Sequence, residues 1–242
     1  MKLEICVFSI NDVITAVANG ADRIELCASY LEGGITPSYA TITETFKYID
    51  PKNVVVMIRP RGGNFIYSAA EFNVMKEDIS VCESLGVKNI IFGIITSEGK
   101  LDMERNKILI EAASPMHCTL QRAFDLTKDP FEALDHAIDC GFKRVLTSGQ
   151  KPSVLEGATL IKQLIEKAAN RIDILPGAGI TSSNAEQLIL ETQCKEIHAS
   201  AKMKVNENAL YAFRNGIYDL SNIIQTDPKE VAALKNIISK YL

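Results

Sequence analysis

Three times this chain closes a helix with a glycine, spends two or three linking residues and enters an apolar strand. The phrases are Gly20–Cys27 (GADRIELC), Gly86–Gly93 (GVKNIIFG) and Gly141–Gly149 (GFKRVLTSG). They share little identity but the same chemistry, which is the mark of an internal structural repeat. Each glycine permits the positive φ that ends a helix. A chain that passes repeatedly from helix to strand needs parallel strands joined by right-handed crossovers. The apolar pattern predicts strands at 3–8, 23–27, 54–58, 117–121, 145–148, 172–175 and 196–200, with the strand of the Gly86 repeat between the third and fifth of these. Helices are expected between them, at 69–85, 102–113, 153–169 and 182–192 among others. Asp129-Pro130-Phe131-Glu132 is the clearest helix start, with an Asp N-cap, a Pro at the first position and a Glu at the third. Eight such units in 242 residues, with short loops and no linker, favour a single-domain α/β fold of the (β/α)8 TIM-barrel type over residues 1–242. The barrel core is expected over about residues 3–201, followed by a polar stretch read as a lid or an interface (202–227) and a final helix capped by Asp227-Pro228. An open doubly wound sheet is the alternative. No GxGxxG follows the first strand, which weakens its dinucleotide-binding version.

Composition narrows the partners. A net charge of -4, without a basic block, argues against nucleic acid and anionic membrane surfaces. The N-terminal MKLEICVF carries an acid within its short apolar run and does not read as a signal peptide, and no apolar stretch reaches membrane-spanning length. Six scattered cysteines with no CxxC fit reduced thiols in the cytoplasm better than a disulfide framework.

The third strand ends abruptly in Arg59-Pro60-Arg61-Gly62-Gly63, so two guanidiniums stand where an α/β enzyme places its site. Arginine is the preferred planar partner of carboxylate and phosphate. Solvation, or pairing with nearby acids, is the plainer account. Strand parity then sorts the other candidates. Apolar residues of one parity should meet the helices, leaving Glu25, Cys27, Arg59, Gln121 and His198 around the carboxyl end of the lumen. A structural ion-pair layer would give the same pattern. Arg122 and Asp125 follow the fifth strand. Thr147 and Ser148 end the sixth, and Gly177 and Gly179 follow the seventh, where glycine-rich loops cradle phosphate or simply turn tightly. Cys6 and Cys27 end neighbouring strands with the same parity, close enough to share a soft metal such as Cu(I) or to pack as small core residues.

These stretches together resemble the CutC family. The phrases are LEIC, NGADRIELC, EGGITPS, MIRPRGGNFIYS, QRAFD, RVLTSGQ, LPGAGI and EIHASA, in family order over about residues 3–201. The resemblance implies a TIM barrel, a cytoplasmic location, a role in copper homeostasis, and copper binding at Cys6 and Cys27. Two positions depart from the family pattern: Gln121 stands where the family has histidine, and Asn64 where it has aspartate. An amide takes up no proton at neutral pH and is a poor ligand for soft metals. Two functions are therefore carried forward. One is Cu(I) binding through Cys6 and Cys27. The other is an enzyme of unassigned reaction on a small anionic or phosphorylated metabolite, held by Arg59, Arg61, Arg122 and the Gly177–Gly179 loop, with Glu25 or His198 moving protons. Self-association as a homo-oligomer is left open by the sequence.

Overall fold

A computed structural model describes residues 1–204 and 224–241. Eight parallel strands form one sheet: β1 (Lys2–Val7), β2 (Arg23–Leu26), β3 (Val54–Met57), β4 (Asn89–Phe92), β5 (His117–Leu120), β6 (Arg144–Thr147), β7 (Asp173–Pro176) and β8 (Glu196–Ala199). They stand in the order β7-β6-β5-β4-β3-β2-β1-β8. Between them run α1 (Ile10–Ala18), α2 (Tyr39–Thr45), α3 (Ala69–Ser84), α4 (Met103–Ala112), α5 (Pro130–Cys140), α6 (Ala158–Ala168) and α7 (Ala185–Thr192). The chain is a (β/α)8 barrel, as the repeat predicts. No helix among the described residues is long and apolar enough to cross a membrane.

Local chemistry sets the helix starts. Ser9, Ser38, Ser68, Asp102 and Asp129 each accept a backbone N–H in the first turn that follows. Ser68 and Glu71 complete a capping box. Two helices begin later than the pattern predicts. Residues 153–157 form a turn ahead of α6, in which the Val154 N–H bonds the Ala178 carbonyl at 3.1 Å. Residues 182–184 form a turn ahead of α7, where Glu230 accepts from the Ser182 N–H and hydroxyl.

The period-2 alternation of the strands divides the interior in two. Leu3, Ile5, Val7, Ile24, Leu26, Val54 and Val56 face outward into the layer shared with the helices and are fully buried. Burying each such side chain contributes about 1.5–3 kcal/mol. The opposite parity fills the lumen with Val55, Met57, Ile91, Leu146 and Leu175, packed with Cys6 and Cys27. Closure is uneven. β8 pairs with β1 over four positions, whereas β7 meets β8 through a single bridge, Gly177 to His198. A Cβ on Gly177 would stand 2.6 Å from Leu146 Cδ1 and 3.1 Å from His198 Cδ2, so a larger residue there would have to displace the lumen side chains where these strands meet.

Past β8 comes a short antiparallel pair that the sequence did not suggest, β9 (Lys202–Lys204) with β10 (Ile224–Thr226). The expected lid or interface at 202–227 falls mostly on residues 205–223, outside the described residues. The final helix is α8 (Pro228–Ile238), with Asp227 as N-cap.

Candidate functional site in the barrel lumen

At the amino-terminal floor, register places Glu4 opposite Arg23 and His198, and Arg144 opposite Asp173. Arg23 bonds Glu4 through Nε and Glu196 through Nη2, the latter at 2.6 Å. Arg144 lies 3.6 Å from both carboxylates. Burial alone would raise the Glu4 carboxyl. The two guanidiniums and the His198 hydrogen bond overcome that and hold it well below the usual carboxylate range. The same acids push Arg23 up against its own desolvation.

His198 connects floor to mouth. Its Nδ1 is 2.7 Å from Glu4 Oε1, and its Nε2 is 3.7 Å from Glu25 Oε2. Burial lowers its pKa, but the two acids outweigh burial and the net shift is upward.

One layer higher are Cys6, Glu25 and Cys27. A sulfur from each cysteine and a Glu25 carboxylate oxygen all lie within 4.8 Å of one another. The Cys6 Sγ–Cys27 Sγ distance is 3.9 Å. The hydrogen bond to Cys27 raises the Cys6 thiol, and burial and the nearby Glu25 charge raise it further, well above the ordinary range. For Cys27 the bond to Cys6 lowers the value, but burial and Glu25 prevail and set it at about 11. Both thiols therefore carry their protons at neutral pH. Glu25 is only 3% exposed, and its Oε1 has no hydrogen-bond partner among the described residues.

A cavity of about 590 Å³ opens above this layer at the carboxyl end of the strands. Of the residues singled out by sequence, Cys6, Glu25, Arg59, Gln121, Arg122, Asp125, Gly179 and His198 line it. Cys27 lies behind it, under Gly34.

Several expected ligand residues are engaged by the protein itself. Arg59 spends its guanidinium on the carbonyls of Glu32, Gly34 and Gly63 and stacks over Phe65. It clamps the β2–α2 loop instead of presenting a free anion site. Arg61 is outside the cavity. It pairs with Glu71 at 2.5 Å and bonds the carbonyls of Gly62, Asn64 and Ile66. The Asn64 side chain joins that cluster, at 3.2 Å from Arg61. Thr147 and Ser148 are buried on Asp125, which also accepts from the Ser148 and Gln150 N–H groups and from Arg122. They fasten the loop after β6. Gly177 serves closure, and its N–H is bound to the Thr147 carbonyl at 2.9 Å. Gln121 makes only a 3.5 Å contact to the Gly93 carbonyl. Sequence reasoning did not single out Arg23 or Arg144, although both share the lumen parity of Glu25 and could have been found by it. The aromatic wall of Phe8, Tyr30 and Phe65 comes from three different loops and left no local signal.

These features define a class: a (β/α)8 barrel with a buried thiol pair and a carboxylate beneath a polar mouth. The family described as the CutC family matches residues 1–203, and this chain belongs to it. The family protein CutC of Pasteurella multocida is 41% identical, over all of both chains. The human "copper homeostasis protein cutC homolog" is 44% identical over 83% of this chain and 73% of its own. The crystal structure of the putative copper homeostasis protein CutC from Streptococcus agalactiae superposes with a TM-score of 0.78 at 34% identity, covering 83% of this chain and 98% of that one. Thiamine phosphate pyrophosphorylase from Pyrococcus furiosus, at 14% identity and a TM-score of 0.62, shares the fold alone.

Proposed function

We propose that this chain acts in copper homeostasis in the cytoplasm, by holding Cu(I) between Cys6 and Cys27. The observation that carries this reading is the 3.9 Å separation of two buried sulfurs. Thiolate is the ligand that selects Cu(I), and metal–sulfur bonds of about 2.3 Å reach both sulfurs across that gap. The human and Streptococcus agalactiae relatives, both named for copper homeostasis, support the copper part of it. The protein's part is to supply two convergent, buried sulfurs. Both thiols must lose their protons on loading. Affinity should therefore rise with pH across the neutral range, because protons compete for the same sulfurs.

The test is an anaerobic Cu(I) competition titration of the wild type and a Cys6→Ser/Cys27→Ser variant. Tight one-to-one binding is expected in the wild type and lost in the variant. Binding indifferent to the two cysteines would end the reading.

A further inference from the structure

A copper ion between two sulfurs leaves most of the mouth unexplained. The cavity falls in the range of about 300–1,000 Å³ that holds small organic molecules. We propose that it binds a small hydroxylated organic anion, a hydroxy acid or a sugar phosphate, with a hydroxyl donated to Glu25 and the anionic group at Arg122. This does not rest on the copper reading.

The floor of the cavity supplies the first contact. Glu25 Oε1 is a buried acceptor without a partner, and such a group is costly to leave unmatched. His198 approaches only the other carboxylate oxygen. The two thiols beside the carboxylate are weak donors, so a hydroxyl that reaches it by a small side-chain shift would be a stronger partner than either. Gln121, buried in the wall of the same cavity and weakly engaged, offers both a donor and an acceptor to a second hydroxyl.

The rim supplies the second contact. Asp125 holds Arg122 through Nε at 2.9 Å, and the Ser148 hydroxyl accepts from Nη2 at 3.1 Å. Asp125 is itself fixed by Thr147, Ser148 and Gln150. The guanidinium is thus aimed before any ligand arrives, and its Nη1 makes no hydrogen bond among the described residues. A pre-aimed fork of this kind suits carboxylate or phosphate. Phe8 and Phe65 add apolar lining for a carbon skeleton.

The experiment uses metal-free wild-type protein with a copper chelator present. Calorimetric titration is run with ribose 5-phosphate and 3-phosphoglycerate as two-ended probes, and with ribose and inorganic phosphate as one-ended controls. At least one two-ended probe should bind saturably, and at least about tenfold more tightly than either control. Glu25→Gln and Arg122→Gln should each weaken it by about tenfold. Arg61→Ala, whose side chain lies outside the cavity, should bind it unchanged, and because every titration is run without copper, failure here is distinct from failure of the copper reading. Thermal melts report whether each variant folds. If Glu25→Gln does not, Arg122→Gln decides, since that side chain is 46% exposed at the rim. The proposal is overturned if neither two-ended probe binds the wild type up to about 10 mM. Equal binding of the controls, or equal binding by the folded variants, overturns it as well.

Discussion

Glu4 and Glu25 are both lumen-facing carboxylates on neighbouring strands, and both are almost fully buried. Glu4 lies within reach of Arg23, Arg144 and His198. Glu25 has His198 at 3.7 Å and an oxygen with no partner. Glu4 is thus matched by cations and Glu25 is not, although both lie in one lumen. A matched charge holds a structure together, whereas an unmatched one that the fold nonetheless retains is where a ligand can act. Burial alone does not distinguish the two. The number of cations within reach does for this pair of carboxylates.

The largest expected effect comes from Glu4→Gln. It leaves Arg23 and Arg144 short of an anion and should lower stability by about 3–5 kcal/mol. Glu25→Gln gives up only the 3.7 Å approach of His198 and should cost less, about 1 kcal/mol. Denaturant unfolding of the two variants compares them directly, and equal losses would break the contrast between floor and mouth.

An intermediate effect is expected from pH. The folded pKa of Glu4 is depressed, so its contribution is present above the unfolded value of about 4.3 and is lost as pH falls through the folded one. The folded pKa of His198 is raised, so its contribution is full below about 6.5 and is lost as pH rises through the folded value. The floor should be firmest between about pH 5 and 6.5. Melting temperatures across pH should show an alkaline decline that His198→Gln flattens. A decline of the same steepness in that variant would assign it to other groups.

The smallest effect belongs to Arg61→Ala. Its pair with Glu71 is 38% and 29% exposed, and such pairs contribute about 0.2–1 kcal/mol. A loss as large as that of Glu4→Gln would mean that the β3–α3 loop braces the barrel itself.

The architecture was legible because it is written locally. Glycine ends a helix, a short apolar run follows, and parity assigns each strand residue to the lumen or to the helices. That logic also brought Cys6, Glu25 and Cys27 together. It faltered where a side chain's fate depends on loops distant in sequence. Arg59 read as an anion receptor because nothing in its own stretch reveals that Glu32 and Gly34 present their carbonyls to it. Thr147 and Ser148 read as ligand contacts because Asp125, some 22 residues earlier, is not visibly theirs. A polar residue at a strand end is easily recognised, but what satisfies it is settled by tertiary structure.

The carbonyl clamp of Arg59 also sets an order of encounter. It fixes Gly34 above Cys27, so tightly that a Cβ there would stand 3.0 Å from the sulfur. Cys27 is 1% exposed and roofed over, while Cys6, at 8%, borders the open mouth. Anything that diffuses in and reacts with sulfur meets Cys6 first and reaches Cys27 only by way of it. The pair is therefore a doorstep and an inner room, and a reagent too bulky to move on would mark Cys6 alone.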